Sequence, residues 1–199
     1  MIDKIKELIK SKRLVIDGEY TIDDGKINVK GNVKLRGLSY LPISFGVVDG
    51  DFNCSFCGLL DMTGTPHTIT GNMEAQSNKF LNLSGCPENI GGNLVLNGNR
   101  TLMNLSGCPK NINGTLDLYG CNLAILQGIA NTIGGNLILG KNRLNGLGYF
   151  PNSVGGSLDI TDNYIVSMND DIIKKVVGDI NSEGNPCNAA DGIEENRLW

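Results

Sequence analysis

Residues 92–99 read Gly92-Asn93-Leu94-Val95-Leu96-Asn97-Gly98-Asn99, and the phrase returns as Gly135-Asn136-Leu137-Ile138-Leu139-Gly140-Lys141-Asn142 and as Gly156-Ser157-Leu158-Asp159-Ile160-Thr161-Asp162-Asn163. The full unit is G-N-L-x-L-x-x-N-x-L-x-x-L-x-G-x-P-x-x-I. Its first glycines stand at Gly31, Gly50, Gly71, Gly92, Gly114, Gly135 and Gly156, at spacings of 19, 21, 21, 22, 21 and 21 residues. A period of this length marks a solenoid, in which one unit alone cannot bury its apolar face and stacked units bury it together.

Within the unit, Leu94 and Leu96 flank Val95, a period of two that specifies a short strand with one buried face. The equivalent pairs are Val33/Leu35, Phe52/Cys54, Met73/Ala75, Leu116/Leu118, Leu137/Leu139 and Leu158/Ile160. Five residues after the first member of each pair, from Phe52 onward, come Cys57, Asn78, Asn99, Cys121, Asn142 and Asn163. A side-chain amide there can satisfy backbone groups that the turn leaves unpaired, so these six positions are assigned to a structural ladder. The return segments, such as 84–91 and 106–113, are too short for a helix. Pro66, Pro87, Pro109 and Pro151 recur at one position of them, with Ala130 in their place once, so extended or 3₁₀ backbone is expected.

The pattern L-x-L-x-x-[N/C]-x-L-x-x-L resembles the leucine-rich repeat. That resemblance covers Gly31 to about Asn185 and implies a mainly β solenoid, a right-handed coil with a parallel concave sheet. The phrases GNLVLNGN, GNLILGKN and GGSLDITDN are also similar to repeat proteins of large tailed bacteriophages and, more distantly, to bacterial effector leucine-rich repeats. Such effectors often carry a catalytic ubiquitin-ligase domain. Here the repeats run almost to Trp199, so the resemblance implies a stand-alone binder.

The organisation expected is a cap over residues 1–30, a solenoid of about eight coils over 31–185, and a tail over 186–199. The N-terminal cap is a helix, with Ile2, Ile5, Leu8 and Ile9 on one face, followed by a β-hairpin turning at Asp23-Asp24-Gly25. A short helix over about 170–177 is expected in the last return segment, with Asp170 and Asp171 at its start and Ile172, Ile173, Val176 and Val177 on one face. Caps cover raw core and strand edges at solenoid ends.

The formal charge is −4, and the basic concentration in sequence is the first helix, with Lys4, Lys6, Lys10, Lys12 and Arg13. Duplex binding needs a basic face to displace counterions, which argues against nucleic acid as the partner. No apolar run approaches the ~20 residues of a membrane span, and the N-terminal helix lacks the apolar centre of a signal peptide, so a cytoplasmic protein is expected.

Several motifs imitate chemistry. Cys54-Ser55-Phe56-Cys57 reads as C-x-x-C, yet Cys54 fills a strand position and Cys57 a ladder position. Cys86 and Cys108 recur at one place in neighbouring coils, about one inter-strand spacing of ~5 Å apart, where a disulfide is conceivable and two buried thiols suit a reducing compartment better. His67 stands alone, without the second histidine that a His-based metal site or triad would use. Asp159, Thr161, Asn163 and Asp170 mimic a calcium loop, but Tyr164 occupies the position that requires glycine. No catalytic residue, cofactor or metal is assigned.

The outward strand positions remain. The column before each apolar pair (Asn32, Asp51, Asn72, Asn93, Thr115, Asn136 and Ser157) is uniformly polar and reads as solvation. The next two columns vary against an otherwise strict repeat, and there Glu74, Gln76, Val95, Asn97, Asp117, Tyr119 and Ile138 are assigned as partner-binding residues, with Tyr119 the aromatic anchor. The expected function is a non-enzymatic protein-binding module. The alternatives are an assembly protein oligomerising through its caps and a small-ligand binder.

Overall fold

The computed structural model describes residues 2–187 and shows a solenoid of parallel strands. Residues 188–199, the greater part of the expected tail, lie outside the described residues. Helix α1 (Ile2–Lys10) buries Ile5 and Leu8 and precedes two long antiparallel strands, β1 (Leu14–Asp23) and β2 (Lys26–Leu35). Asp24 and Gly25, both at positive φ, form the two-residue turn that antiparallel twist favours. The coils then contribute pairs of strands in chain order: β3 (Ser44–Asp49), β4 (Phe52–Asn53), β5 (Thr68–Ile69), β6 (Met73–Glu74), β7 (Asn89–Ile90), β8 (Leu94–Val95), β9 (Asn111–Ile112), β10 (Leu116–Asp117), β11 (Thr132–Ile133), β12 (Leu137–Ile138), β13 (Ser153–Val154) and β14 (Leu158–Asp159). A four-residue helix α2 (Asp170–Ile173) and β15 (Ile180–Asn181) complete the described chain.

The Leu-x-Leu strands stack in the order β2-β4-β6-β8-β10-β12-β14-β15, eight rungs separated by seven turns. The return segments form a second parallel stack, β3-β5-β7 and β9-β11-β13, which resolves the expectation of extended or 3₁₀ backbone in favour of extended. The two stacks meet at the glycine pairs. At Gly91 a Cβ would stand 2.1 Å from the Thr70 carbonyl oxygen, and at Gly92 2.4 Å from the Asn72 side-chain oxygen, so adjacent coils approach too closely there for any side chain. Strand β2 bridges both stacks: its first half pairs with β3 and its second half with β4. Between the two halves Gly31 faces Gly18 of β1, both at left-handed φ, and a Cβ on either would meet the other strand's backbone oxygen at about 2 Å. Cap and solenoid therefore share one strand across the boundary expected near residue 30.

The core lies between the stacks. The Leu-x-Leu side chains and a column of Val48, Ile69, Ile90, Ile112, Ile133 and Val154 from the second stack are all buried. At the N-terminal end Phe45 and Phe52 meet edge to face, with centroids 5.2 Å apart.

The helix expected over 170–177 is half as long. Asn169 caps it, its side chain accepting from the Ile172 N–H at 3.1 Å, but the backbone leaves the helix at Lys174. Val176 instead bridges Val154 in the second stack, so the pairing demand of the next coil overrides a propensity that β-branched Val176 and Val177 support weakly. Only Ile172 of the expected apolar face is buried; Val176 is half-buried, and Ile173 and Val177 are exposed.

Candidate functional site

Two hydrogen-bonded ladders hold the strand face in place. In the inner ladder, Asn78, Asn99, Asn142 and Asn163 are buried, and each amide donates to carbonyls of its own coil and of the preceding one. Their oxygens accept backbone N–H groups of the preceding coil, as from Leu144 to Asn163 at 3.0 Å. Cys121 takes the same place with a weaker donor, its thiol reaching the Leu96 carbonyl at 3.2 Å, and Cys57 turns to Ser55 O at 3.5 Å. Asn185 adds a further rung, its oxygen accepting from the Ile165 N–H. The residue before each rung is left-handed: Phe56, Ser77, Gly98, Gly120, Lys141, Asp162 and Gly184 all have positive φ. The inter-coil backbone pairing runs up to this residue, where the chain turns and the next side chain points inward.

The outer ladder corrects the solvation reading of the first outward column. Asn32 accepts from the Asp51 N–H, Asp51 from Asn72, Asn72 from Asn93, Asn93 from Thr115 and Asn136 from Ser157, at 2.7–2.8 Å. Thr115 and Ser157 continue the series through their hydroxyls at 3.2 Å. The glycine corner interrupts the strand pairing at this N–H, and a short side chain one coil back replaces the missing acceptor.

On the surface that these ladders fix, the predicted residues come together. Glu74, Val95, Asp117 and Ile138 are register partners on β6, β8, β10 and β12, and Gln76, Asn97 and Tyr119 form the neighbouring column. Val95 and Ile138 are half-buried and flank Asp117 directly. Asp117 is held in place by the Asn97 amide at 2.9 Å and by the Tyr119 N–H at 2.9 Å. Glu74 accepts from Asn53 and Gln76 from Ser55, so the acidic and amide groups are braced across coils.

Tyr119 is braced from two sides. A Cβ on buried Gly140 would lie 3.0 Å from its ring atoms, so the ring rests over the space that this glycine leaves. Lys141 stands 5.6 Å from the ring centroid, a cation–π contact. Its pKa is raised, first by its interaction with the Tyr119 side chain and then by the negative charge of Asp162. Asn97, Gly98, Arg100, Tyr119, Gly120, Asn122 and Lys141 line a shallow depression of about 660 Å³.

Sequence reading missed the basic corner beside this depression. The position after the inner ladder is Lys79, Arg100, Asn122 and Arg143 in successive coils, and Lys141 lies two residues before Arg143. All four cations are exposed. Among the described residues the ion pair formed is Lys4–Glu7 at 3.3 Å, so these four stand without a salt-bridge partner. Columnar alignment of the repeat was the available signal; linear charge clustering does not show it. A row of exposed apolar side chains, Leu60, Leu81 and Met103, was missed in the same way.

The imitative motifs are accounted for by packing. Cys54, Cys57, Cys86 and Cys108 are free thiols. Burial pushes the Cys54 and Cys86 thiols well above their ordinary value and Cys108 up to about 12. His67 is exposed on the return segment, and its backbone N–H donates to Gly46 O. Asp159 accepts from the Thr161 N–H, and the Asn163 amide is committed to the ladder. Among the described residues no three His, Cys, Asp or Glu side chains gather as a metal ion would need, and no helix is long and apolar enough to cross a membrane. Compared with protein-family models, curated proteins and solved structures, the chain matches none of them.

Proposed function

We propose that this chain is a non-enzymatic module that binds a partner protein through the outward face of its Leu-x-Leu strands, centred on Tyr119. The carrying observation is the bracing of Tyr119 between Gly140 and Lys141, next to Asp117 and two half-buried aliphatic side chains. An aromatic ring held in one place loses little freedom on binding, and a central anchor with polar neighbours is the usual composition of an interaction hot spot. The likeness of the repeat to leucine-rich repeats, and of its phrases to phage repeat proteins, extends the proposal: a phage factor acting in the host cytoplasm that blocks or redirects a host defence or regulatory protein. Affinity capture from a host lysate with mass spectrometry tests it. A stoichiometric partner lost on Tyr119→Ala and on Asp117→Arg is the expected result, and retention by both variants refutes this face.

A second reading, assembly through the caps, is favoured by β1. Its ten residues pair with β2 along one edge only, and Val15, Tyr20 and Ile22 are exposed. An open edge of this length is a template for a further strand. Sedimentation as a monomer at working concentration removes this reading.

A further inference from the structure

We infer that the basic corner formed by Lys79, Arg100, Lys141 and Arg143 is a docking site for an extended acidic peptide segment of the partner protein. The inference rests on the proposed function in taking the occupant to be a protein, and adds the chemistry by which that protein is recognised. Three observations lead to it. The four cations are exposed and lack salt-bridge partners, although the chain as a whole carries −4. They fall on coils whose spacing is set by the parallel rungs, so Lys79 to Arg143 spans three coils, ~15 Å, which an extended peptide covers with four or five residues. Arg100 and Lys141 converge on the depression beside Tyr119, where Gly98 and Gly120 leave room for a main chain to approach.

The surroundings favour carboxylates on a peptide over a nucleic-acid strand. Asp162 stands at the phase of Lys141 one coil further on, and Glu74, Asp117 and Asp159 line the strand face beyond the column of Gln76, Asn97 and Tyr119. A continuous phosphate backbone meets these charges wherever it leaves the corner, whereas a peptide places its carboxylates only opposite the cations and presents neutral side chains elsewhere. Tyr119 and the half-buried Val95 and Ile138 then accept an aliphatic side chain of the same segment.

The test uses the full chain and three fluorescein-labelled probes: a twelve-residue peptide of Glu, Asp, Ser and Leu, the same peptide with Lys for each acidic residue, and a twelve-nucleotide oligothymidine. Fluorescence anisotropy is expected to show binding of the acidic peptide alone, weakening about tenfold between ~50 and ~300 mM NaCl. Arg100→Glu combined with Arg143→Glu is expected to weaken it at least tenfold, while Lys174→Glu with Lys175→Glu, the same charge change at the far end, leaves it within about twofold. Absence of acidic-peptide binding, equal loss in both double variants, or tighter binding of the oligothymidine overturns the proposal. A captured partner that is lost on Asp117→Arg and kept by Arg100→Glu/Arg143→Glu sinks this inference and leaves the strand-face reading standing; the reverse pattern does the opposite.

Discussion

The backbone N–H of Asn78 donates to the side-chain oxygen of Asn99, one coil further on, at 2.9 Å, and the Asn99 amide returns two bonds, to Ala75 O at 2.9 Å and Leu96 O at 2.6 Å. A single fully buried side chain thus fastens two coils at three points.

Asn99→Ala removes all three partners from buried backbone groups. The expected cost is ~3 kcal/mol, read as a lowered urea midpoint with unchanged slope. Cys121→Asn is the converse, placing an amide where a thiol now gives a weak donor between Asn99 and Asn142, and should raise stability by ~1 kcal/mol. A neutral or destabilising Cys121→Asn would mean that the coil around residue 121 does not admit the ladder geometry of its neighbours.

Gly91→Ala sets a methyl group 2.1 Å from the Thr70 carbonyl oxygen, which belongs to the backbone and cannot turn aside. The coils must part locally, at a cost of more than ~2 kcal/mol. Gly146→Ala meets no atom within 4 Å and should stay within ~0.5 kcal/mol of the parent. Thermal unfolding of the two variants side by side separates close approach from mere glycine content.

Phe56 sits at φ 57° with 76% of its surface exposed, in the column where three coils use glycine. Phe56→Gly relieves a left-handed strain of ~1 kcal/mol, partly offset by the greater freedom of glycine in the unfolded chain. A net gain of ~0.5 kcal/mol in chemical denaturation is expected, together with less self-association at high concentration.

Burial raises the Cys108 and Cys121 thiols from the ordinary 9.0 to about 12 in the folded protein. Between those values the unfolded chain releases the protons and the folded chain keeps them, so the associated stability is whole below pH 9 and lost as pH rises toward 12. The melting temperature should therefore fall with pH above about 9, and a Cys108→Ala/Cys121→Ala variant should show a shallower fall. Equal slopes would show that these thiols do not control alkaline unfolding.

Leu94/Leu96 alternation and the recurring Asn were sufficient to read the stacked strands, because both follow from one period and one unsatisfied turn. The outer ladder escaped the same reading. A polar side chain at a strand start is ordinary surface chemistry, and only the glycine corner, visible in three dimensions, leaves the N–H that Asn72 or Asn93 must answer. The second stack was legible only as extended or 3₁₀ backbone, since two residues such as Asn89-Ile90 carry no periodicity of their own. In the last return segment a helical charge pattern pointed to eight residues, and the pairing of Val176 with Val154 took half of them. Around the candidate site, Glu74, Val95, Asp117 and Ile138 were predictable neighbours because equal phase in the repeat means adjacency in space. Lys79, Arg100 and Arg143 were not noticed because about 21 residues separate one phase from the next, and an overall acidic composition hides three cations so dispersed.

The strand shared between hairpin and first coil bears on how quickly the chain assembles. Its pairing with β1 is the most local contact between strands, closed by a two-residue turn, and every later rung joins a partner one repeat earlier. A sequence separation of one repeat in a chain of this length corresponds to a relative contact order of ~0.1, a value typical of helical bundles and below that of β-sandwiches. Folding that starts at the hairpin and advances coil by coil should therefore be fast for a protein built almost wholly of strands.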